Sequence, residues 1–403
     1  MFLDNGTGVP IRLWLRTEFR DVTQVTDGVQ GPEVLPASCE PALRQNFPMP
    51  DRRPSPGSQV ILPIQYLRGV AASMVVWHHA AGQIRGMAAQ VPWEFGTSGV
   101  DLFFVISGFI MVVTTSGGRV TPVEFWRRRV VRVVPLYWLL TLLMVAVALV
   151  APGLFKTLKV QASTLIQSLL FIPHFSQSFP GVVWPLLVPG WTLNFEMFFY
   201  LVFGLVLFLP ERRRLLPLVA FFVALTAIGF VFGPFASAAA QTYTHPMLLE
   251  FAAGAAIGAW WLSGRWRLPS STSWLLIGAG FVLLLLRDRE PLGTSTQIIG
   301  AVLAVVGALD ARFAAWKSAL LQALGDSSYS LYLTHIFTLG ALRVVWNRLL
   351  PAPPTLAATI VFMLLSLVVC AAVGWLVYRS VEAPLLARLN RRKKRVVQTL
   401  AAP

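Results

Sequence analysis

The chain has 403 residues, of which 56% are apolar and only 13% charged, and its mean hydropathy is +0.65. Soluble domains run about 45–50% apolar and about 25% charged, so an ordinary soluble domain is excluded and an all-α polytopic membrane protein is expected. The formal charge of +15 has no zinc, helix-turn-helix or RNA-binding signature beside it, which excludes nucleic acid as the expected partner and assigns the charge to loops between spans.

In chain order, residues 1–58 are polar and rich in Pro, Gly and Arg, as in CEPALRQNFPMPDRRPSPGSQ. They lack the apolar core and cleavage site of a signal peptide and read as a disordered cytoplasmic tail. A start at Met49, leaving a short basic leader, is the alternative. A membrane domain follows over 59–386, with ten apolar segments near the 20 or so residues a crossing needs: 62–82, 97–115, 133–152, 191–209, 215–233, 246–263, 273–287, 295–310, 328–347 and 356–378. The loop 153–190 contains FIPHFSQSFPGVVWP and reads as re-entrant or interfacial. Residues 387–403, with RRKKR at 391–395, form a basic tail suited to anionic lipid.

Orientation follows from the loops. Arg44, Arg52 and Arg53, then Arg119 with Arg127 to Arg129 and Arg132, then Arg212 to Arg214, then Arg265 and Arg267 fall on one side. The other side carries little beyond Arg85, Lys156, Lys159, Arg287 and Arg289. Both termini are therefore expected in the cytoplasm. Cys39 and Cys370 lie in a polar tail and an apolar span, and neither has a metal spacing. No disulfide and no metal site are expected.

Ionisable groups inside hydrocarbon are costly, about 2.5–3.5 kcal/mol for Arg on insertion scales, so those present need a reason. LRGVAASMVVWHHAAG at 67–82 carries Arg68, His78 and His79. A helix turns about 100° and rises about 1.5 Å per residue. Arg68 and His79, eleven apart, therefore share a face within about 20° and lie roughly 16 Å apart, whereas His78 points about 100° away. GTSGVDLFFVISGFIM brings Asp101, and GWTLNFEMFFYLVF brings Glu196, to the depth expected for His79. An imidazole with carboxylates at one depth suits general acid–base chemistry. On the cytoplasmic side, EFWRRRVVRVVPLYW holds Arg128, Arg129 and Arg132 in an R-R-x-x-R spacing, and planar guanidinium forks suit phosphate. Plainer readings stand beside these. His78, His174 and His245 can be satisfied interhelical histidines, Arg127 to Arg132 a topology anchor, and Glu250, Asp310, Asp326 and Glu382 structural groups at span ends. By themselves these residues fit either an enzyme or a proton-coupled transporter or flippase.

Five stretches together resemble the acyltransferase-3 family of integral-membrane acyltransferases, most closely the exopolysaccharide O-acetyltransferases. They are IQYLRGVAASMVVWHH, with R-x10-H at Arg68 and His79, GVDLFFVISGFIM, FWRRRVVRVVPLYWLLT, WTLNFEMFFYLVF around Glu196, and SSYSLYLTHIF around His335. The resemblance implies a bundle of about ten transmembrane helices in the bacterial inner membrane, without a soluble C-terminal domain. It implies transfer of acetyl from acetyl-CoA, the acyl donor, to a hydroxyl of a cell-surface polysaccharide or its lipid-linked precursor. His79 is then the catalytic histidine, Arg68 its motif partner, and Arg128, Arg129 and Arg132 the donor contacts. Many members carry a second acid directly after Glu196, where this chain has Met197. A thioester carbonyl also needs donors near its developing oxyanion, for which Tyr200 and His335 are the candidates.

Overall fold

A computed structural model describes residues 61–118, 120–151, 158–264, 268–286, 293–310, 316–350 and 354–390. The expectations for the tail 1–58, for a start at Met49 and for RRKKR lie outside the described residues. So do Arg119, Lys156, Arg265, Arg267, Arg287 and Arg289. Every regular element among the described residues is helical. In order they are α1 (Leu62–Ala81), α2 (Gly99–Thr115), α3 (Pro122–Val150), α4 (Ala162–Leu169), α5 (Trp191–Val206), α6 (Leu215–Phe232) and α7 (Ala238–Tyr243). They continue with α8 (Leu248–Leu262), α9 (Ser270–Leu285), α10 (Gly293–Ala308), α11 (Ala319–Asp326), α12 (Ser328–Leu349) and α13 (Leu356–Val377). Each of the ten apolar segments overlaps one of these helices within the described residues. Among the described residues four helical stretches are long and apolar enough to cross a membrane: Glu94–Thr115, Pro122–Val150, Glu211–Phe232 and Leu356–Asn390.

Three elements depart from the expected pattern. Helix α3 begins eleven residues before the expected span, because Thr121 caps it by accepting from the Glu124 amide and Pro122 occupies the first turn. The arginine-rich stretch is therefore one continuous helix with the apolar stretch, about 44 Å along its axis. The loop 153–190 contains helix α4, and its chain is tied to α3: Tyr137 and Trp138 donate to the carbonyls of Ser168 and Leu169 at 3.2 and 2.7 Å. Helix α13 does not stop but passes through a π-helical turn, Tyr378–Glu382, and runs on to Asn390. Such turns widen a helix locally and re-aim a side chain.

Helix α2 is the centre of the bundle. It packs on α8 so closely that a Cβ on Gly108 would lie 2.1 Å from the Phe251 carbonyl oxygen, and one on Gly254 2.0 Å from that of Val105. Without a hydrophobic drive between helices in lipid, close backbone approach through small residues supplies the packing. Helix α6 is the opposite case. Only Leu218 and Phe222 are buried in it, while Leu216 and Phe230 stand out of the bundle. An outward surface of that kind suits hydrocarbon and not water, as expected of a membrane protein.

Gly254→Val should force α2 and α8 apart and destabilise the bundle by more than the roughly 1–3 kcal/mol of an overpacked core, since backbone is what it meets. Thermal unfolding in detergent would show a lowered midpoint. A midpoint equal to that of the unmodified chain would mean that the helices are not in this contact.

Candidate active site

Five helices surround one cavity of about 180 Å³. Each presents a face in helical spacing: Gln65 and Arg68 from α1, Phe103, Ser107 and Ile110 from α2, Arg129 and Arg132 from α3, Thr192, Glu196 and Tyr200 from α5, and Ser328, Tyr329 and Tyr332 from α12. These are i, i+3 and i, i+4 rows, which is how a helix turns one stripe inward. The lining of α2 extends from Val100 to Met111, a length of about 16 Å.

At one end the cavity is cationic. Arg132 forms an ion pair with Glu382, whose other oxygen accepts from Ser330. Glu382 is almost wholly buried, and the π-helical turn that carries it aims it inward. Arg68 donates to the Gln65 side-chain oxygen at 3.1 Å. Arg129 differs from both. Its guanidinium lies over the rings of Phe125 and Tyr200, 5.6 and 5.8 Å from their centroids. Its buried Nε makes no hydrogen bond among the described residues. Arg129 is thus held by aromatic faces and keeps donors for an incoming anion. Arg128 does not line the cavity. It is half exposed and paired with Glu124 at 2.8 Å.

Glu196 sits among these arginines and accepts from Ser107 at 2.9 Å and from Tyr200. Its depth differs from the expectation. Ser107 is six residues past Asp101, so Glu196 lies about 9 Å further along α2 than Asp101. The reason is that α5 does not start at the bundle surface. The 3-10 turn Val188–Gly190 before it is buried, and the Pro189 carbonyl accepts from Tyr332 at 3.0 Å. The chain has already entered the bundle when α5 begins. Asp101 is fully buried but faces away from the cavity, about 130° around α2 from the lining stripe.

His79 forms a second centre. It does not line the cavity, and its ring lies 4.9 Å from that of His335. Tyr332 bridges the two centres: it lines the cavity and its ring is 6.0 Å from that of His335. The tautomers follow from the hydrogen bonds. His79 Nδ1 lies 2.9 Å from the Val75 carbonyl and His335 Nδ1 lies 2.6 Å from that of Tyr332. A carbonyl only accepts, so in each neutral ring Nδ1 carries the proton and Nε2 keeps its lone pair. Each is therefore set up as an acceptor of a proton. Neither Tyr200, whose proton is held by Glu196, nor neutral His335 has a hydrogen to offer an oxyanion in this arrangement. His78 points elsewhere, 4.7 Å from the Trp93 ring. His174 contacts Ser168 and the Ile172 carbonyl, and His245 accepts from the Met247 amide.

Arg68, Arg129, Arg132, Glu196 and Tyr200 thus meet in one cavity. His79 and His335 meet beside it, and Asp101 and Arg128 join neither group. Sequence reasoning missed Gln65, Ser107 and Tyr332, and left Glu382 as a span-end acid. The i, i+3 spacing of Tyr329 and Tyr332 within SSYSLYLTH was the available signal for the aromatic wall. No signal in sequence pairs Glu382 with Arg132, since 250 residues separate them. Among the described residues no cluster of His, Cys, Asp or Glu could hold a metal ion.

The acyltransferase domain family matches residues 62–379. The chain is 42% identical over 315 residues to the exopolysaccharide production protein ExoZ of Rhizobium meliloti, covering 77% of this chain and 95% of that one. It is 26% identical over 325 residues to the acyltransferase MdmB of Streptomyces mycarofaciens, covering 74% and 83% respectively. No solved structure matches.

Removing one partner of a buried ion pair leaves the other charge uncompensated, while replacing both by apolar groups is often near neutral. Glu382→Leu alone should therefore destabilise by on the order of 3 kcal/mol, and Arg132→Met with Glu382→Leu should recover most of it. Detergent unfolding midpoints of the single and double variants test this. Additive losses would mean the two side chains do not interact.

Proposed function

The chain belongs to the acyltransferase family matched over residues 62–379, and from that premise we propose a transmembrane O-acyltransferase that moves acetyl from acetyl-CoA to a hydroxyl of a cell-surface polysaccharide or its lipid-linked precursor. The observation that carries the reading is the cavity with Arg68, Arg129 and Arg132 at one end and Tyr332 leading to His79 and His335 at the other. The likeness to an exopolysaccharide production protein supports a polysaccharide acceptor. In this reading all ten apolar helices cross a bacterial inner membrane, both termini are cytoplasmic, and the arginine end of the cavity faces the cytoplasm.

The arginines receive phosphate through planar, always-charged forks. A cavity of about 180 Å³ is below the roughly 300 Å³ of a site that encloses a whole drug-sized ligand. It admits a narrow arm, and the nucleotide stays at its mouth. The arm brings the thioester toward His79. His79 Nε2 takes the proton of the acceptor hydroxyl as that oxygen attacks the carbonyl. The new C–O bond forms, the C–S bond breaks, and the proton passes from the imidazolium to the departing sulfur. His335 packs against the His79 ring and limits its rotation, which keeps the base in line. Glu196, oriented by Ser107 and Tyr200, balances part of the cationic charge.

Purified protein given labelled acetyl-CoA and host glycan should transfer label. His79→Ala should lower the rate by about 10²–10⁴-fold, the usual worth of a general base, and His78→Ala should retain most of it. Arg129→Ala should raise the KM for acetyl-CoA, and Arg128→Ala should leave it unchanged. Equal losses at His78 and His79 would remove the proposed base. Glycan movement without acetyl-CoA consumption would favour a transporter instead.

A further inference from the structure

We propose that Gln65 and Asp326 are positioning residues for Arg68, a relay in which Asp326 fixes the Gln65 amide and that amide aims the guanidinium into the cavity. The proposal rests on the acyl-transfer reading, because it takes Arg68 as a donor contact.

The side chains are joined in sequence. Gln65 Nε2 donates to Asp326 Oδ1 at 2.5 Å, and Arg68 Nη1 donates to Gln65 Oε1 at 3.1 Å. The amide orientation is not a free choice. A guanidinium only donates and a carboxylate only accepts, so Gln65 must turn its nitrogen to Asp326 and its oxygen to Arg68. A glutamine without Asp326 could flip, present its NH₂ to Arg68 and repel it.

Backbone packing is what lets these short side chains meet. Asp326 ends α11, and α11 touches α1 without a side-chain layer between them. A Cβ on Gly325 would lie 2.1 Å from the Gln65 carbonyl oxygen, and one on Gly69 2.9 Å from Leu324 Cβ. Two residues past Asp326, α12 begins and carries Tyr329, Tyr332 and His335. The relay therefore ties α1 to the start of α12 near Arg68, and the His79–His335 contact ties the same two helices further along. Arg68 is held by an acceptor one turn before it on its own helix and by a carboxylate 261 residues away from that acceptor. Arg132 has its own carboxylate, and Arg129 its aromatic faces. Without the relay, Arg68 would keep the attraction of Glu196 in the same cavity but lose the hydrogen bond to Gln65 that aims it.

The test uses the full chain in detergent, with KM and kcat for acetyl-CoA and direct binding of free CoA. Gln65→Ala and Asp326→Ala should each raise KM and weaken CoA binding about tenfold or more, as for a lost hydrogen bond to a charged group, with kcat changed far less. Gln65→Glu sets two carboxylates against each other and should be at least as impaired. Adding Asp326→Asn to Gln65→Glu restores the bonds with the donor direction reversed, since the introduced amide donates and the introduced carboxylate accepts from both sides. That double variant should return to within about threefold of the unmodified chain, on the same hydrogen-bond scale. Such rescue also excludes misfolding as the cause of the single-variant losses. If the unmodified chain turns over acetyl-CoA while the alanine variants keep its KM, or the double variant is no better than Gln65→Glu, the relay is overturned alone. If the unmodified chain neither binds nor consumes acetyl-CoA, the acyl-transfer reading falls and takes the relay with it.

Discussion

A guanidinium enclosed by a helical bundle keeps its charge, and this constrains which helix faces can meet. Arg68, Arg129 and Arg132 cannot face lipid, so the helices that carry them must turn those faces inward together. Each must also find a partner, because an unpaired charge in a low-dielectric interior is far costlier than a paired one. The three solutions differ: a direct carboxylate from Glu382, an amide backed by Asp326, and the aromatic faces of Phe125 and Tyr200. Together they bring α1, α3, α5 and α12 around α2 and leave a cavity where the guanidinium groups converge.

The same constraint separates two chemical environments. One is cationic, with Glu196 as its counter-charge. The other holds two neutral imidazoles whose proton positions are set by backbone carbonyls 2.9 and 2.6 Å away. Tyr332 stands between them and is itself fixed by Thr192 at 2.9 Å and by the Pro189 carbonyl. A base needs a free lone pair and a phosphate site needs free donors. These demands conflict at short range, since a nearby cation disfavours protonation of the imidazole. Placing them at opposite ends of a long wall satisfies both.

Glycine placement makes that geometry reachable. Where α2 meets α8, and where α1 meets α11, the absence of a side chain lets backbones touch. Short polar groups such as Gln65 and Asp326 then span the gap that remains. Long side chains at those contacts would move the helices apart and open the relay. The packing of small residues and the aim of the arginines are therefore linked, although they look like separate features in the sequence.

Apolar run length found where helices lie, because a backbone in apolar surroundings must satisfy its own hydrogen bonds and that demand depends on local composition. Helical arithmetic on one segment put His79 on the Arg68 face and turned His78 away, and the structure has His78 against Trp93 instead. Arg129 and Arg132 are three residues apart, the spacing of one helical face, and both line the cavity. These features involve residues within a few turns of one another, where the backbone period decides direction. What required the tertiary structure involves residues far apart in the chain. Glu196 lies with the arginines and not with His79, because the buried turn at 188–190 carries the chain inward before α5 starts. Asp101 faces the other side of α2, and Arg128 turns outward to Glu124. Glu382 reaches Arg132, and Asp326 reaches Gln65, only because helices distant in sequence pack side by side. Depth and partner are properties of that packing, and a one-dimensional pattern does not contain them.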